Sequence, residues 1–167
     1  MQTWLLTSFA TWLPHQRSNA SDDLLQALID MQQMPDYCRL LRHLPVDTEV
    51  AFNAVRSQIQ VIQPQGIICC GMAETRDHLS LEVQACRSDS RLRTTLDLAE
   101  LAKLMTTTQI SHDAGQFVCN DLYYALLAYS QTVVLPRYVL FVHVPPHHTS
   151  PWEQVVSDFS MLLQRLS

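Results

Sequence analysis

Ile110-Ser-His-Asp-Ala-Gly-Gln-Phe-Val-Cys-Asn-Asp-Leu-Tyr-Tyr-Ala-Leu-Leu127 begins as a β-leaning piece, breaks at Ala114-Gly115 and continues as an apolar period. Val118, Leu122, Ala125, Leu126 and Tyr129 recur at the spacing of one helical face, so a strand hands over to an amphipathic helix here. Cys119 falls in the first turn of that helix, one step round from the buried stripe. The unpaired N–H groups and partial positive charge of a helix start make a thiol easier to ionise, and the same groups can hold an oxyanion. Two readings stand for Cys119: a nucleophile, or one more small buried residue, as free cysteines often are.

The same handover repeats outward from this stretch. Residues 4–8 read as a first strand buried on both faces, followed by a polar loop over 9–20 that carries Phe9, Trp12, Pro14 and Asn19. Ser21 is the expected cap of a helix with Asp22 and Asp23 in its first turn and Leu24, Leu25, Leu28 and Ile29 on one face, stopped by Pro35. Residues 37–46 form a second strand candidate. Asp47 or Thr48 then caps a helix with Val50, Ala51, Ala54, Val55 and Ile59 inward. Gly66-Ile-Ile-Cys-Cys70 is a short continuous apolar run of the kind found in central parallel strands, with Cys69 and Cys70 on opposite faces. Residues 78–85 alternate, which predicts a half-buried strand, and 96–105 predict a short helix. Residues 138–142 are another buried strand. Trp152, Val155, Val156, Phe159, Leu162, Leu163 and Leu166 keep the helical period to the end.

Strands alternating with helices imply a mostly parallel sheet covered on both faces, with the binding crevice off the carboxyl ends of its strands. The chemistry is therefore expected in the loops over 8–20, 71–78 and 143–151. His143 follows a buried strand directly and is either a proton-transfer group or a hydrogen-bonded structural histidine. Glu82 is either a solvated acid or, if it points inward, the third group that orients an imidazole. Arg76 is either a surface charge or an anion clamp. His78, His143, His147 and His148 raise a metal site, but the Pro-flanked pair reads as solvent loop, so no metal is expected.

A length of 167 residues suits one domain with a full core. Eleven Lys and Arg against 16 Asp and Glu give a formal charge of −5, which argues against a nucleic-acid or anionic-membrane surface. Three glycines leave no phosphate-cradling loop to argue for. No basic segment followed by an apolar core opens the sequence, no apolar run approaches a membrane span, and the five cysteines are an odd number. The expectation is a cytoplasmic protein with reduced thiols.

Ala114-Gly-Gln-Phe-Val-Cys-Asn120 resembles the cysteine signature of the pyroglutamyl peptidase I family (pyrrolidone-carboxylate peptidases, cysteine peptidase family C15). Four further stretches match in order: Leu5-Leu-Thr-Ser-Phe9 with Asn19-Ala-Ser21, Leu44-Pro-Val46, Gly71-Met-Ala-Glu-Thr-Arg76 with Glu82, and Phe141-Val-His-Val-Pro145. The resemblance implies one domain over 1–167 with a three-layer α/β/α fold and a mostly parallel mixed sheet, of the phosphorylase/hydrolase type. It implies a cysteine-type omega peptidase that removes N-terminal pyroglutamate from a small peptide or amide substrate, without metal or cofactor, and in many members a homo-oligomer. Matched residue by residue, Cys119 is the nucleophile, His143 the base and Glu82 the acid that orients it. Phe9, Trp12, Met72 and Arg76 fall in the substrate-binding segments.

The chain also departs from that pattern. It is shorter than most members, with 91–109 replacing a longer insertion. Met72 stands where the family has a Gln that holds the ring's polar edge, and Glu74-Thr75 replace Gly-Gly. Arg91 and Arg93 compete for the place of an arginine downstream of the glutamate. The catalytic set is intact and the ring-reading set has drifted, so weak action on pyroglutamyl substrates is expected. The alternatives are the same machinery acting on another small amide or lactam, and a non-catalytic homologue that binds.

Overall fold

Residues 2–166 are described in a computed structural model. The elements follow as β1 (Trp4–Phe9), α1 (Ala20–Asp30), β2 (Cys38–Leu44), α2 (Thr48–Ile62), β3 (Gly66–Met72), β4 (Leu79–Glu82), β5 (Gln84–Arg87), β6 (Ser90–Arg93), α3 (Leu98–Ala102), β7 (Thr108–Ser111), α4 (Val118–Ser130), β8 (Tyr138–Val144) and α5 (Trp152–Arg165). A 3-10 turn over His147–Thr149 joins the last two.

Six strands form one sheet in the order β2-β1-β3-β8-β4-β7, and β5 pairs with β6 as a separate hairpin. All neighbours in the large sheet are parallel except β4 and β8, whose antiparallel register sets Ser80 against His143 and Glu82 against Phe141. The side-chain alternation of the strands divides the core in two. On one face Leu6, Ile68, Cys70, Leu81, Leu140 and Val142 pack under α1, α3 and α5. On the other, Leu5, Ile67, Cys69, Val139 and Phe141 pack under α2 and α4. This is the three-layer α/β/α fold with a mostly parallel mixed sheet, and Cys69 and Cys70 do point to opposite layers.

Three local expectations change. Asn19, not Ser21, caps α1: its Oδ1 accepts from Ser21 N at 3.1 Å, while Ser21 Oγ accepts from Phe9 N at 3.1 Å. The two side chains thus tie the end of β1 to the start of α1. Val50 is exposed, because the apolar face of α2 is carried by Ala51, Val55 and Ile59. The alternation over 78–85 is two strands rather than one. All four residues of β4 are buried, and the chain then leaves the sheet to form the β5–β6 hairpin, turning at Ser88 with φ 50°. The shorter α3 and β7 that follow deliver the chain to the helix of Cys119.

Candidate active site

His143 lies at the carboxyl end of β8, beside Gly71 of β3. Its Nδ1 is 2.7 Å from Glu82 Oε1, and both side chains are buried. Arg76 donates from an Nη to the same Oε1 at 2.6 Å and from its other Nη to the Asp113 carbonyl at 2.7 Å. A carboxylate beside a guanidinium accepts only, so Nδ1 carries the proton and Nε2 is left free to take one. Glu82 is therefore not a solvated acid. It is fully buried, and its backbone carbonyl accepts from Tyr123 Oη at 2.9 Å.

Cys119 is in the first turn of α4, where Phe117 is the N-cap and no side chain caps the helix. A Cβ built on Gly71 would come within 2.7 Å of Cys119 Sγ, so the sulfur occupies room that only glycine leaves, on the strand next to His143. Among the described residues no hydrogen bond joins Cys119 Sγ to the His143 ring. Burial first, then the charges of Cys69 and Glu82, push the Cys119 thiol up to about 12, against the opposing helix backbone and Arg76. The expectation that the helix start makes this thiol easy to ionise is thus outweighed by burial.

Two α4 side chains that sequence reading passed over hold the helix in place. Asn120 Nδ2 donates to the Cys86 carbonyl at 2.8 Å, and its Oδ1 accepts from Cys86 N at 2.9 Å. Tyr123, one turn on, reaches the Glu82 carbonyl. The signal was present in the sequence, since both polar tips fall on the buried side of an otherwise apolar helix.

These groups open onto a cavity of about 640 Å³ whose walls include Phe9, Trp12, Met72, Arg76, Phe117 and Cys119, with His143 in its lining. Phe9 is buried, whereas Trp12 and Phe117 stand 59% and 80% exposed at the mouth. Phe117 is a wall residue not singled out from the sequence. Met72 Sδ accepts from Ala20 N at 3.4 Å, at the start of α1. Glu74 Oε1 accepts from Gln16 Nε2 at 3.0 Å and is 3.1 Å from His15 Nε2, which tethers the loop of Trp12 to the loop of Arg76. Arg91 and Arg93 are exposed on β6 and line no part of this cavity. A larger groove, about 830 Å³ between the segment 31–36 that follows α1 and helix α5, has neither Cys nor His in its walls. Among the described residues no group of three or more His, Cys, Asp or Glu is placed to hold a metal ion. Nor is any helix among them long and apolar enough to cross a membrane.

A family model described as pyroglutamyl peptidase matches residues 96–163, a span that holds Cys119 and His143. The chain resembles the pyroglutamyl peptidases. A curated relative, the pyrrolidone-carboxylate peptidase of Brachyspira hyodysenteriae, is 28% identical over an alignment covering 61% of this chain and 64% of that protein. The chain thus spans about two thirds of that relative's length. Among solved structures, the pyrrolidone carboxyl peptidase of Thermococcus litoralis aligns with a TM-score of 0.83 at 18% identity, over 98% of this chain and 92% of that one. A variant of the Pyrococcus furiosus pyrrolidone carboxyl peptidase gives 0.83 at 18% identity, over 98% and 97%. At that identity the structures speak for the fold, which they share over nearly the whole chain.

Proposed function

We propose that this chain is a cysteine hydrolase that removes an N-terminal pyroglutamyl residue from small peptides or amides. The reading rests on one observation above the rest: His143 Nδ1 bonded to buried Glu82 at 2.7 Å, beside the glycine that makes room for the Cys119 sulfur. Because burial holds the thiol neutral, attack and ionisation are coupled. Cys119 Sγ adds to the acyl carbon as its proton passes to His143 Nε2. The oxyanion is met by backbone N–H groups at the uncapped start of α4. Collapse breaks the C–N bond, and His143 returns the proton to the leaving amine. Water, deprotonated by the same nitrogen, then cleaves the thioester. Glu82 keeps the imidazole in one tautomer throughout, and Phe9 and Trp12 offer apolar walls to a flat ring.

Met72 and Glu74 favour a second reading, the same machinery acting on a different small amide or lactam. The Met72 sulfur faces the start of α1, and Glu74 is occupied by Gln16 and His15. A fluorogenic pyroglutamyl amide decides between them, with Cys119→Ser as control. The expected result is slow cleavage abolished in the variant, with kcat/KM below about 10⁵ M⁻¹s⁻¹. Cleavage of other lactam amides but not this one selects the second reading. No Cys119-dependent cleavage of either kind leaves a binding homologue.

A further inference from the structure

Among the described residues, Arg76 is the one Lys or Arg in the walls of the cavity, and its position invites the role of a clamp for substrate. Each of its two Nη atoms already holds a partner. One Nη is 2.6 Å from Glu82 Oε1, the oxygen that also holds His143, and the other is 2.7 Å from the Asp113 carbonyl in the loop leading into α4. The Arg76 carbonyl in turn accepts from Thr149 Oγ1 at 3.0 Å, in the turn that follows His143, and its backbone N–H closes a turn onto Ala73 at 3.1 Å. A single residue therefore bridges the acid's strand, the approach to the nucleophile's helix and the segment after the base. A planar fork suits this, since it bonds two acceptors at fixed separation.

We propose that Arg76 is a positioning residue for the Cys119–His143–Glu82 group and not a contact for substrate. This rests on the peptidase reading for what the group does, but the geometry of the splint stands apart from any substrate. Two effects follow. The fork fixes the rotamer of Glu82 and so the orientation of His143, and it locks Asp113, four residues before the N-cap side of α4, to the same carboxylate. Its charge also offsets that of Glu82 at the sulfur. The charges facing Cys119 are Glu82 on β4 and Cys69 on β3, which disfavour the thiolate, and Arg76, which favours it.

The test uses the whole chain and a small neutral reagent that needs no substrate pocket. Iodoacetamide alkylation at neutral pH is followed at the Cys119 peptide by mass spectrometry, because Cys86 is also partly accessible. Arg76→Gln is expected to slow alkylation at Cys119 at least tenfold, with Arg76→Lys between the two because it returns the charge without the fork. On a pyroglutamyl amide the Gln variant should lose kcat by a similar factor while KM stays within threefold. If alkylation is unchanged in Arg76→Gln, or KM rises with kcat intact, Arg76 is a substrate clamp and the proposal is wrong. Should the Gln variant fold poorly, Thr149→Val removes the hydroxyl that ties the turn after His143 to the Arg76 carbonyl and to the Pro146 carbonyl, and leaves the Arg76 fork in place. It should slow alkylation severalfold, and an unaltered rate there counts against the splint. An absence of amide cleavage by the wild-type chain overturns the peptidase reading alone, since the alkylation rates still decide the role of Arg76.

Discussion

Met72 shows how one side chain can separate a working site from a well-read substrate. Its sulfur accepts from Ala20 N at 3.4 Å, a weak partner for the first N–H of α1, and its other side lines the cavity. A thioether offers no donor and only a poor acceptor. A flat lactam placed between Phe9 and Trp12 keeps its stacking there but leaves a polar edge unmet. An unmade hydrogen bond in a desolvated site costs about 1–3 kcal/mol. Met72→Gln supplies an acceptor for Ala20 N and an amide group for the ring at nearly constant volume. The expected outcome is a gain in kcat/KM of about tenfold on pyroglutamyl amides, equivalent to about 1.4 kcal/mol. Steady-state kinetics on the two proteins check it, and an unchanged or lower value means that another group reads the ring.

At the scale of elements, α5 was the plainest helix in the sequence, and β3 and β8 the plainest strands. Continuous apolar runs and an unbroken helical period need no knowledge of neighbours. What stayed illegible depends on partners distant in sequence. Ser80 and Glu82 sit on a face that looks solvent-exposed by alternation, yet Glu82 turns inward because Arg76 and His143 meet it there. Asp158 is the same lesson on α5. It interrupts the apolar stripe between Val155 and Leu162, is wholly buried, and accepts from Thr106 N, Thr107 N, Thr107 Oγ1, Thr108 Oγ1 and Gln154 Nε2 at 2.7–3.2 Å. Burial alone would raise its pKa, but these five donors more than reverse that and hold it below the usual carboxylate range. With the folded value depressed, its contribution is present above the unfolded pKa of about 3.9 and is lost as pH falls through the folded one. Asp158→Ala leaves the donors at the start of β7 without their acceptor and should cost about 3 kcal/mol at neutral pH. Urea denaturation measures it, and the penalty should shrink below about pH 4. A variant within about 0.5 kcal/mol of wild type, the range of an ordinary surface substitution, would show that Asp158 does not anchor β7.

Over the whole molecule, the cysteines that raised the question of catalysis also set a limit on stability. Cys38, Cys69, Cys70, Cys86 and Cys119 are all free thiols. Burial pushes Cys38, Cys69 and Cys119 up to about 12, and Cys70 well above the ordinary thiol value. In the unfolded chain such thiols ionise near a pH of about 8.5. Because the folded values are raised, the stability these groups contribute is complete below about pH 8.5 and is lost as pH climbs toward 12. Each one costs about 1.4 kcal/mol per pH unit in that window, so the four together give a slope of roughly 5.5 kcal/mol per unit. Burial of Tyr123 adds to it at the alkaline end. Against a total stability of about 5–15 kcal/mol for a domain of this kind, the fold should be lost between about pH 9.5 and 11. Urea titrations in the presence of a reductant, run from pH 8 to 10.5, should show stability falling with that slope. Cys38→Ala, on β2 and away from Cys119, should reduce the slope by about one proton's worth without touching the nucleophile. Stability that stays level from pH 8 to 10.5 would mean that the thiols ionise within the fold, and that burial does not hold the Cys119 proton until the imidazole takes it.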